Sequence, residues 1–303
     1  MQSMVKILGV GALAALMGGT TALAATLKVS TVATAVDVDI PPEDYEDLDE
    51  AEASTDDGTF TPTLDTASDV TTSNGSAEAT ASIDYAEGAL RTFAQSSPSE
   101  PVSASSVSAN GRAELTDLVT FNVSDGVVGP VEVEVFWQID RIVDDFGFLE
   151  YPSVGPNASP AAEVTALFSM RADGGAGSFD VSFSEKFGTS GTSTYRETLT
   201  FEGPGAFDYF LRFVLNSQAK NRTVQKVDQD GNLVAGEFEF FGGIADAGNS
   251  AFLQFVLPED VTLSGSEDDF LANARDLSAI PLPAPALLLL GGLGLLAALR
   301  RRA

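Results

Sequence analysis

Apolar and polar residues alternate with a period of two through much of the chain. The pattern is clearest in VEVEVFWQI, where one face would carry Val131, Val133, Val135, Trp137 and Ile139 and the other Glu132, Glu134, Phe136 and Gln138. Apart from Phe136, this gives one buried face and one solvated face, which is typical of strands in antiparallel sheets. The same alternation occurs in residues 164–170 and 179–183.

Short segments rich in Gly, Asp and Asn separate the candidate strands, at residues 172–177, 188–191, 202–205, 228–232 and 246–250. Short strands at this spacing predict an all-β fold, specifically an antiparallel β-sandwich or jelly roll. The 20 Phe and single Trp would fill much of the space between two sheets. The small residues of 96–109 fit either an edge strand or a loop.

The first 24 residues are organised like a secretory signal peptide. Lys6 precedes an apolar stretch from Ile7 to Met17, and Ala22 and Ala24 satisfy the small-residue rule for signal peptidase. This stretch is short for a membrane-spanning helix. We therefore expect cleavage after Ala24 and export of the remaining chain.

The exported part is strongly acidic. Removal of Lys6, Arg300, Arg301 and Arg302 leaves 12 of the 16 Lys and Arg against all 44 Asp and Glu. Such a surface repels nucleic acid and anionic lipid, so we expect no nucleic-acid partner.

The chain has no Cys and no His. Cysteine nucleophiles, His-based triads, His or Cys metal sites and covalently attached haem are therefore excluded. A hydrophobic core, rather than disulfides, must stabilise the exported domain. Carboxylate chemistry, Ser/Lys chemistry and oxygen-ligated hard cations remain, and we predict no cofactor.

Composition divides the exported part in two. Residues 25–78 contain a dense acidic run from Glu43 to Asp57 and a stretch rich in Thr, Ser and Asp. Like charges at this density favour a solvated, partly flexible segment, with a low-affinity Ca²⁺ or polycation patch as the alternative. We therefore predict that the β domain comprises residues 79–279.

One candidate Ca²⁺ loop begins at Asp228. Asp228, Asp230 and Asn232 would supply oxygen ligands at positions one, three and five, and Glu239 occupies position twelve. Position six of such a loop requires Gly, but here it is Leu233. The flanking residues are typical of strands, so a β-hairpin with an Asp-Gly turn is favoured.

Two other acidic groups are candidate sites. Glu267, Asp268 and Asp269 are adjacent and would share a Ca²⁺, although three acids after a Gly-Ser turn more often form a solvated strand end. Glu132 and Glu134 lie on one strand face, whereas a glycosidase needs two carboxyl groups facing each other across a sugar. We predict no catalytic residue and a non-enzymatic role, and leave open whether any acidic cluster binds Ca²⁺.

The chain ends in IPLPAPALLLLGGLGLLAALRRRA, residues 280–303. As a helix, apolar residues 285–299 would extend about 22 Å, short of a ~30 Å hydrocarbon core, and including residues from Ile280 brings the length close to a full span. Arg300, Arg301 and Arg302 would stop the helix at the cytoplasmic side and leave the β domain outside.

A proline motif, an apolar helix and a terminal Arg cluster together resemble the PEP-CTERM sorting signal. Ile280, Pro281, Leu282, Pro283 and Ala284 resemble its VPLPA variant, with Ile in place of Val. The resemblance implies recognition by an exosortase, which would cut near the proline motif and pass the body to the cell envelope or extracellular matrix.

Residues 248–271 carry a second, looser resemblance to the stretch that precedes such tails in some proteins. It consists of a strand, Leu-Pro, and a Ser-Gly followed by an aromatic residue, with acids inserted here between Gly265 and Phe270. From these features we predict an exported surface or matrix protein with a structural or adhesive role. A Ca²⁺- or glycan-binding module, with extracellular polysaccharide or Ca²⁺ as ligand, and a carboxylate-based glycoside hydrolase are the alternatives.

Overall fold

The structure is a computed structural model, and it describes residues 25–36, 46–55, 60–72, 75–98, 106–146, 161–173, 180–228, 232–248 and 251–272. Within these ranges the chain is all-β, and every strand pairing is antiparallel. The predicted all-β class is therefore confirmed.

Fifteen strands lie in the described part of the chain. They are β1 (Thr26–Val36), β2 (Glu46–Ser54), β3 (Thr63–Thr72), β4 (Gly75–Asp84), β5 (Ala89–Pro98), β6 (Ser106–Val123), β7 (Pro130–Phe146), β8 (Ala162–Ala172), β9 (Val181–Phe187), β10 (Gly191–Glu202), β11 (Gly205–Lys220), β12 (Arg222–Val227), β13 (Leu233–Asp246), β14 (Ala251–Val256) and β15 (Val261–Ser264).

The strands form two sheets that face each other, an arrangement consistent with a β-sandwich. The first sheet has the order β2-β1-β6-β11-β8-β9, and β15 also pairs with β6. The second has the order β12-β13-β7-β14-β5-β4-β3, and β10 also pairs with β7. At one side β2 leads to β3 and at the other β9 leads to β10, so the chain crosses between the sheets at both edges.

Strand β6 brings together the first and last strands of the described fold. Thr26 of β1 pairs with Thr116, and Ser264 of β15 pairs with Thr120. Strand β11 occupies the other side of β6 over its whole length. Strands β1 and β15 therefore follow one another along the same edge of β6, with Asp117 in the gap between them.

The larger of two buried clusters between the sheets is rich in large side chains, and we call it the aromatic core. Its fully buried members include Trp137, Phe121, Phe168, Phe201 and Phe213. The Trp137 and Phe168 rings stack with centroids 4.7 Å apart, and Phe213 meets Phe168 edge-on at 5.9 Å. Buried aromatic area of this kind is a main source of sandwich stability.

A second cluster, which we call the alanine core, lies farther along the same strands. It consists of Ala33, Ala35, Val70, Ala77, Ala79, Ala94, Val107, Ala109 and Ala219. Gly111 of β6 lies between the two cores. A Cβ there would collide with the backbone O of Thr80 and lie 2.7 Å from the backbone O of Phe93, both in the second sheet. The two sheets therefore approach each other too closely at this point to accommodate a methyl group.

The structure confirms the strands predicted from alternation at 131–139 and 164–170, which lie in β7 and β8. Val133, Val135, Trp137 and Ile139 are buried, and Glu132 is exposed. The exception, Phe136, is buried on the outer face of the second sheet with Ala89 and Phe252. Both ends of the ambiguous stretch 96–109 lie in strands, β5 and β6, and residues 99–105 lie outside the described residues.

The sheets also include much of the range that composition separated from the β domain. Strands β1, β2 and β3 lie within residues 25–78, and β4 begins there. The acidic run supplies β2, an edge strand that pairs with β1 through Lys28↔Ser54 to Val36↔Glu46. Charged residues suit an edge strand, because they oppose pairing with a second molecule.

The predicted signal peptide, including Ala22 and Ala24, lies outside the described residues. So does the tail, with its motif Ile280, Pro281, Leu282, Pro283 and Ala284 and its terminal Arg300, Arg301 and Arg302. Within the described ranges, no helix has the length and apolar character needed to cross a bilayer.

Candidate functional site

A groove on the outer face of the first sheet is the candidate site. It crosses β6, β11, β8 and β9, has a volume of about 450 Å³, and is lined by Asn110, Arg112, Thr165, Leu167, Ser184, Arg212, Val214 and Asn216. Successive residues of each strand point to opposite faces of the sheet. The lining residues point outward, and the residues between them are buried in the core. The volume falls in the range of about 300–1,000 Å³ that ligand clefts usually have.

One carboxylate holds the two arginines of this groove. Arg112 Nη2 donates to Glu114 Oε2 at 2.7 Å, and Arg212 Nε donates to Glu114 Oε1 at 2.7 Å. The register of β6 and β11 brings these three side chains together, because Val214 of β11 pairs with Glu114 and Asn216 pairs with Arg112. Both guanidinium groups are therefore fixed at one point on the sheet, although about a hundred positions separate them in the chain.

The Glu114 carboxylate lies beneath its partners. Its side chain is 19% exposed, whereas those of Arg112 and Arg212 are 40% and 42% exposed. Burial raises the pKa of Glu114, but the hydrogen bonds and charges of the two arginines outweigh burial and leave the pKa below its ordinary value. Glu114 therefore stays ionised and the guanidinium groups face solvent.

A second polar cluster joins residues 265–272, which we call the docking segment, to the rest of the fold. Asp117 of β6 is buried and accepts hydrogen bonds from the backbone N and the Oγ of Ser266. The Leu118 backbone N donates to the same carboxylate at 2.7 Å, and the Tyr85 hydroxyl does so at 2.7 Å. Burial raises the pKa of Asp117, and these hydrogen bonds only partly offset the effect.

Apolar contacts complete this docking. The Tyr85 ring lies 5.2 Å from the ring of Phe270 and 4.9 Å from that of Phe60. Burial, and then the Asp117 charge, raise the pKa of Tyr85, so its hydroxyl remains a donor at any ordinary pH. The Leu271 backbone N donates to Tyr85 O at 3.2 Å.

Steric crowding explains why position 265 of the docking segment is a glycine. A Cβ on Gly265 would lie 2.5 Å from Asp117 Oδ2, 2.5 Å from Tyr85 Oη and 2.6 Å from Phe270 Cβ. Only a residue without a side chain leaves room for the Asp117 hydrogen bonds. Gly265 and Phe270, both noted in the sequence, thus meet beside one buried carboxylate.

The predicted hairpin at Asp228 is confirmed by the antiparallel pairing of β12 with β13. Asn232 N donates to Asp228 Oδ1 at 2.8 Å, and Asp228 N donates to Asn232 O at 2.9 Å. Asp230 lies outside the described residues, and Glu239 lies within β13. Asp228 therefore closes a hairpin through its carboxylate.

The other acidic candidates lie apart from the groove. Glu267, Asp268 and Asp269 belong to the docking segment, where Asp268 and Asp269 are exposed. Glu132 and Glu134 lie on the outer face of β7, and Glu134 pairs with Arg196 at 3.3 Å. Among the residues that the structure describes, no group of three or more acids is arranged to hold a metal ion.

Sequence reasoning did not identify the groove. Arg112, Glu114 and Arg212 are charged residues at outward positions of β6 and β11. Charged residues at such positions are common on any strand with one solvated face, so they do not stand out in the sequence. The usable signal is the rarity of basic residues in so acidic a chain, combined with their position between apolar residues. Strand order is also needed, because only the β6–β11 pairing brings the two arginines together.

Comparisons with known proteins add little. The chain matches no protein-family model and no curated protein. Among solved structures, Clostridium perfringens delta-toxin aligns at 8% identity over 77% of this chain and 92% of that one, with a TM-score of 0.13. An alignment at this score carries no information about fold or function.

Proposed function

We propose that this chain is an exported, non-enzymatic surface or matrix protein with a structural or adhesive role. In this proposal the fold is a β-sandwich, delivered by a signal peptide over residues 1–24. Residues 280–303 tether it to the membrane until an exosortase cuts near the proline motif and releases it to the cell surface or matrix.

The observation that carries this proposal is that both ends of the fold lie along one edge of β6. Thr26 pairs with Thr116 and Ser264 with Thr120, so the first strand of the described fold begins, and its last strand ends, at neighbouring positions of β6. This arrangement supports the proposal, because a domain that the chain enters and leaves at neighbouring points can be exported while both of its hydrophobic segments are still in the membrane.

The attachment of the docking segment to the fold also supports the proposal. Residues 265–272 are held by Asp117, Tyr85 and the close contact at Gly265, and only residues 273–279 separate them from the motif at Ile280. A sorting enzyme in the membrane would therefore meet a motif held near a fixed point of the folded domain.

Intact mass of the mature protein from its native cell tests the proposal. We expect loss of residues 1–24 and of everything after about Ala284. Retention of the tail on the mature protein would contradict sorting and leave a plain membrane anchor, and retention of the first 24 residues would contradict cleavage of the leader.

A matched pair of variants separates motif recognition from general effects of proline. Pro283→Ala should block removal of the tail, because it alters the proposed recognition motif. Pro258→Ala, in the turn between β14 and β15, should leave tail removal unchanged. Equal processing of both variants would contradict recognition through the proline motif.

Glycan binding is the second candidate function, and the groove on the first sheet favours it. Amide, hydroxyl and guanidinium groups of Asn110, Thr165, Ser184 and Arg212 lie around the apolar side chains of Leu167 and Val214. Sugars present the same combination of hydroxyl groups and apolar ring faces. An adhesive role would follow if the groove holds a matrix polysaccharide.

A further inference from the structure

We propose that the groove on the first sheet binds an acidic sugar, with the carboxylate of one uronic acid residue held between Arg112 and Arg212. This inference rests on the proposed adhesive function and specifies its ligand. Four features support it: the charge of the groove, the free donors of its arginines, the neutral polar groups around them and its apolar floor.

The charge of the groove is opposite to that of the chain. Acids outnumber basic residues 44 to 16 overall, yet none of the eight described lining residues is acidic and two are arginines. Glu114 neutralises one positive charge, so the pair of arginines with Glu114 keeps a net charge of +1. The groove therefore attracts an anion locally, although the chain as a whole carries a net charge of −28.

The arginines keep donors available for a ligand. Arg212 donates to Glu114 through Nε, so both of its terminal amino groups are available to a ligand in the groove. Arg112 uses Nη2, which leaves Nη1 and Nε. Because Glu114 fixes both guanidinium planes, a carboxylate would meet donors that are already oriented. This pre-organisation lowers the entropy cost of binding.

The rest of the groove matches a sugar better than a simple anion. Asn110 and Asn216 provide amide donors and acceptors, and Thr165 and Ser184 provide hydroxyls. Leu167 and Val214 form an apolar floor on which a pyranose ring would rest. A single inorganic anion would leave most of the 450 Å³ volume to water.

The size of the ligand follows from electrostatics. A long polyanion would extend beyond the groove along a chain of net charge −28 and be repelled by that charge, with a range of about 8 Å at physiological ionic strength. A short acidic oligosaccharide, or one exposed end of a longer chain, avoids that repulsion. We therefore expect tighter binding, per site, of a trisaccharide than of a long acidic polymer.

Titration calorimetry on the purified full chain in detergent, at physiological salt, tests the inference. The probes are a galacturonic acid trisaccharide and the same trisaccharide with its carboxylates reduced to alcohols. Wild-type protein should bind the acidic sugar at least about tenfold more tightly, because charge-assisted hydrogen bonds are roughly twice as strong as neutral ones.

Charge-matched variants then locate the site. Arg112→Gln and Arg212→Gln should each weaken binding of the acidic sugar by about tenfold. Arg196→Gln removes the same charge from the outer face of the second sheet, where Arg196 also pairs with a glutamate, and should change binding less than about twofold.

One more variant keeps the test valid if loss of an arginine disturbs the fold. Asn216→Asp adds a negative charge to the groove and leaves both bonds to Glu114 in place, so it should weaken binding of the acidic sugar without lowering the melting temperature. Equal binding of the two sugars, unchanged binding by all three groove variants, or no binding by wild-type protein would overturn the inference. None of these results would affect export or tail removal, which intact mass measures separately.

Discussion

The aromatic core and the alanine core lie in the same pair of sheets but hold them together by different means. Around Trp137 and Phe168, large rings fill the space between the sheets. Around Ala79 and Ala109, methyl groups fill it, and at the neighbouring Gly111 the sheets approach each other too closely for a Cβ. The same strands β1, β4, β6 and β11 contribute to both cores, so the change occurs along each strand.

Polar contacts between the sheets also differ along the strands. Between the two cores, buried hydroxyl pairs connect the sheets: Thr92 Oγ1 and Ser217 Oγ are 2.7 Å apart, and Thr31 Oγ1 and Ser68 Oγ are 2.7 Å apart. Beside the aromatic core, one of the buried polar contacts is ionisable, that between Asp117 and Tyr85. Neutral hydrogen bonds between the sheets thus supplement the packing next to the alanine core, because methyl groups bury little apolar area.

The largest expected effect comes from truncating the aromatic core. Phe168→Ala should lower the free energy of unfolding by about 3–5 kcal/mol, because it removes a fully buried ring that packs on Trp137 and Phe213. Val70→Ala in the alanine core should cost only about 1–2 kcal/mol. Denaturant unfolding of the full chain measures both, and equal losses would contradict the distinction between the cores.

The next effect concerns the close approach of the sheets. Gly111→Ala should destabilise the fold by about 1–3 kcal/mol, because the added methyl meets backbone oxygens of Thr80 and Phe93, which cannot rotate away. Gly126→Ala is the matched control, since a Cβ there has no neighbour within 4 Å. Its effect should remain within about 0.5 kcal/mol of zero or be slightly stabilising. A neutral Gly111→Ala would show that the sheets can separate at low cost.

A smaller effect tests the hydroxyl pairs. Ser217→Ala should cost about 1–2 kcal/mol, because it leaves the buried Thr92 hydroxyl without this partner. Thr92→Val should cost less, since Ser217 Oγ also donates to the Thr92 backbone O at 3.2 Å. The double variant should lose less than the sum of the two. Additive losses in this cycle would mean that the pair contributes no coupling between the sheets.

The two cores also explain what could be predicted from sequence. Alternation with large apolar residues revealed β7 and β8, whose inner faces carry Trp137 and Phe168. Strand β4 alternates Ala77, Ala79 and Ala81 with polar residues, and the inner face of β1 ends in Ala33 and Ala35. Alanine gives a weak hydrophobic signal and a poor strand preference. Composition therefore suggested a partly flexible acidic segment over residues 25–78, where the structure has strands.

The groove and the Asp117 cluster were beyond sequence reasoning for a different reason. Each depends on pairings between distant strands: β6 with β11 for Arg112 and Arg212, and β6 with β15 for Asp117 and Ser266. Strand alternation predicts which face a residue occupies but not which strand lies beside it. Gly265 and Phe270 were noticed in the sequence, but their steric role requires the position of Asp117.

The smallest expected effect, a pH dependence, compares two carboxyl groups three residues apart on opposite faces of β6. Asp117 faces inward and burial raises its pKa, whereas Glu114 faces the groove and its arginines lower its pKa. A raised folded-state pKa means that Asp117 contributes most stability below its unfolded pKa of about 4 and loses it as pH rises through the folded value. For Glu114 the contribution is present above the unfolded pKa of about 4 and is lost as pH falls through the folded value.

Asp117→Asn and Glu114→Gln should therefore respond to pH in opposite directions. As pH rises from 4 to 7, the stability of Asp117→Asn relative to wild type should increase. The amide keeps an acceptor for Ser266 and carries no charge to bury. Glu114→Gln should be less stable than wild type at pH 7, and the difference should shrink towards pH 3. Taking differences cancels the titration of the many exposed acids. Parallel pH profiles for the two variants would contradict the assignment of Asp117 to the buried face and Glu114 to the arginine pair.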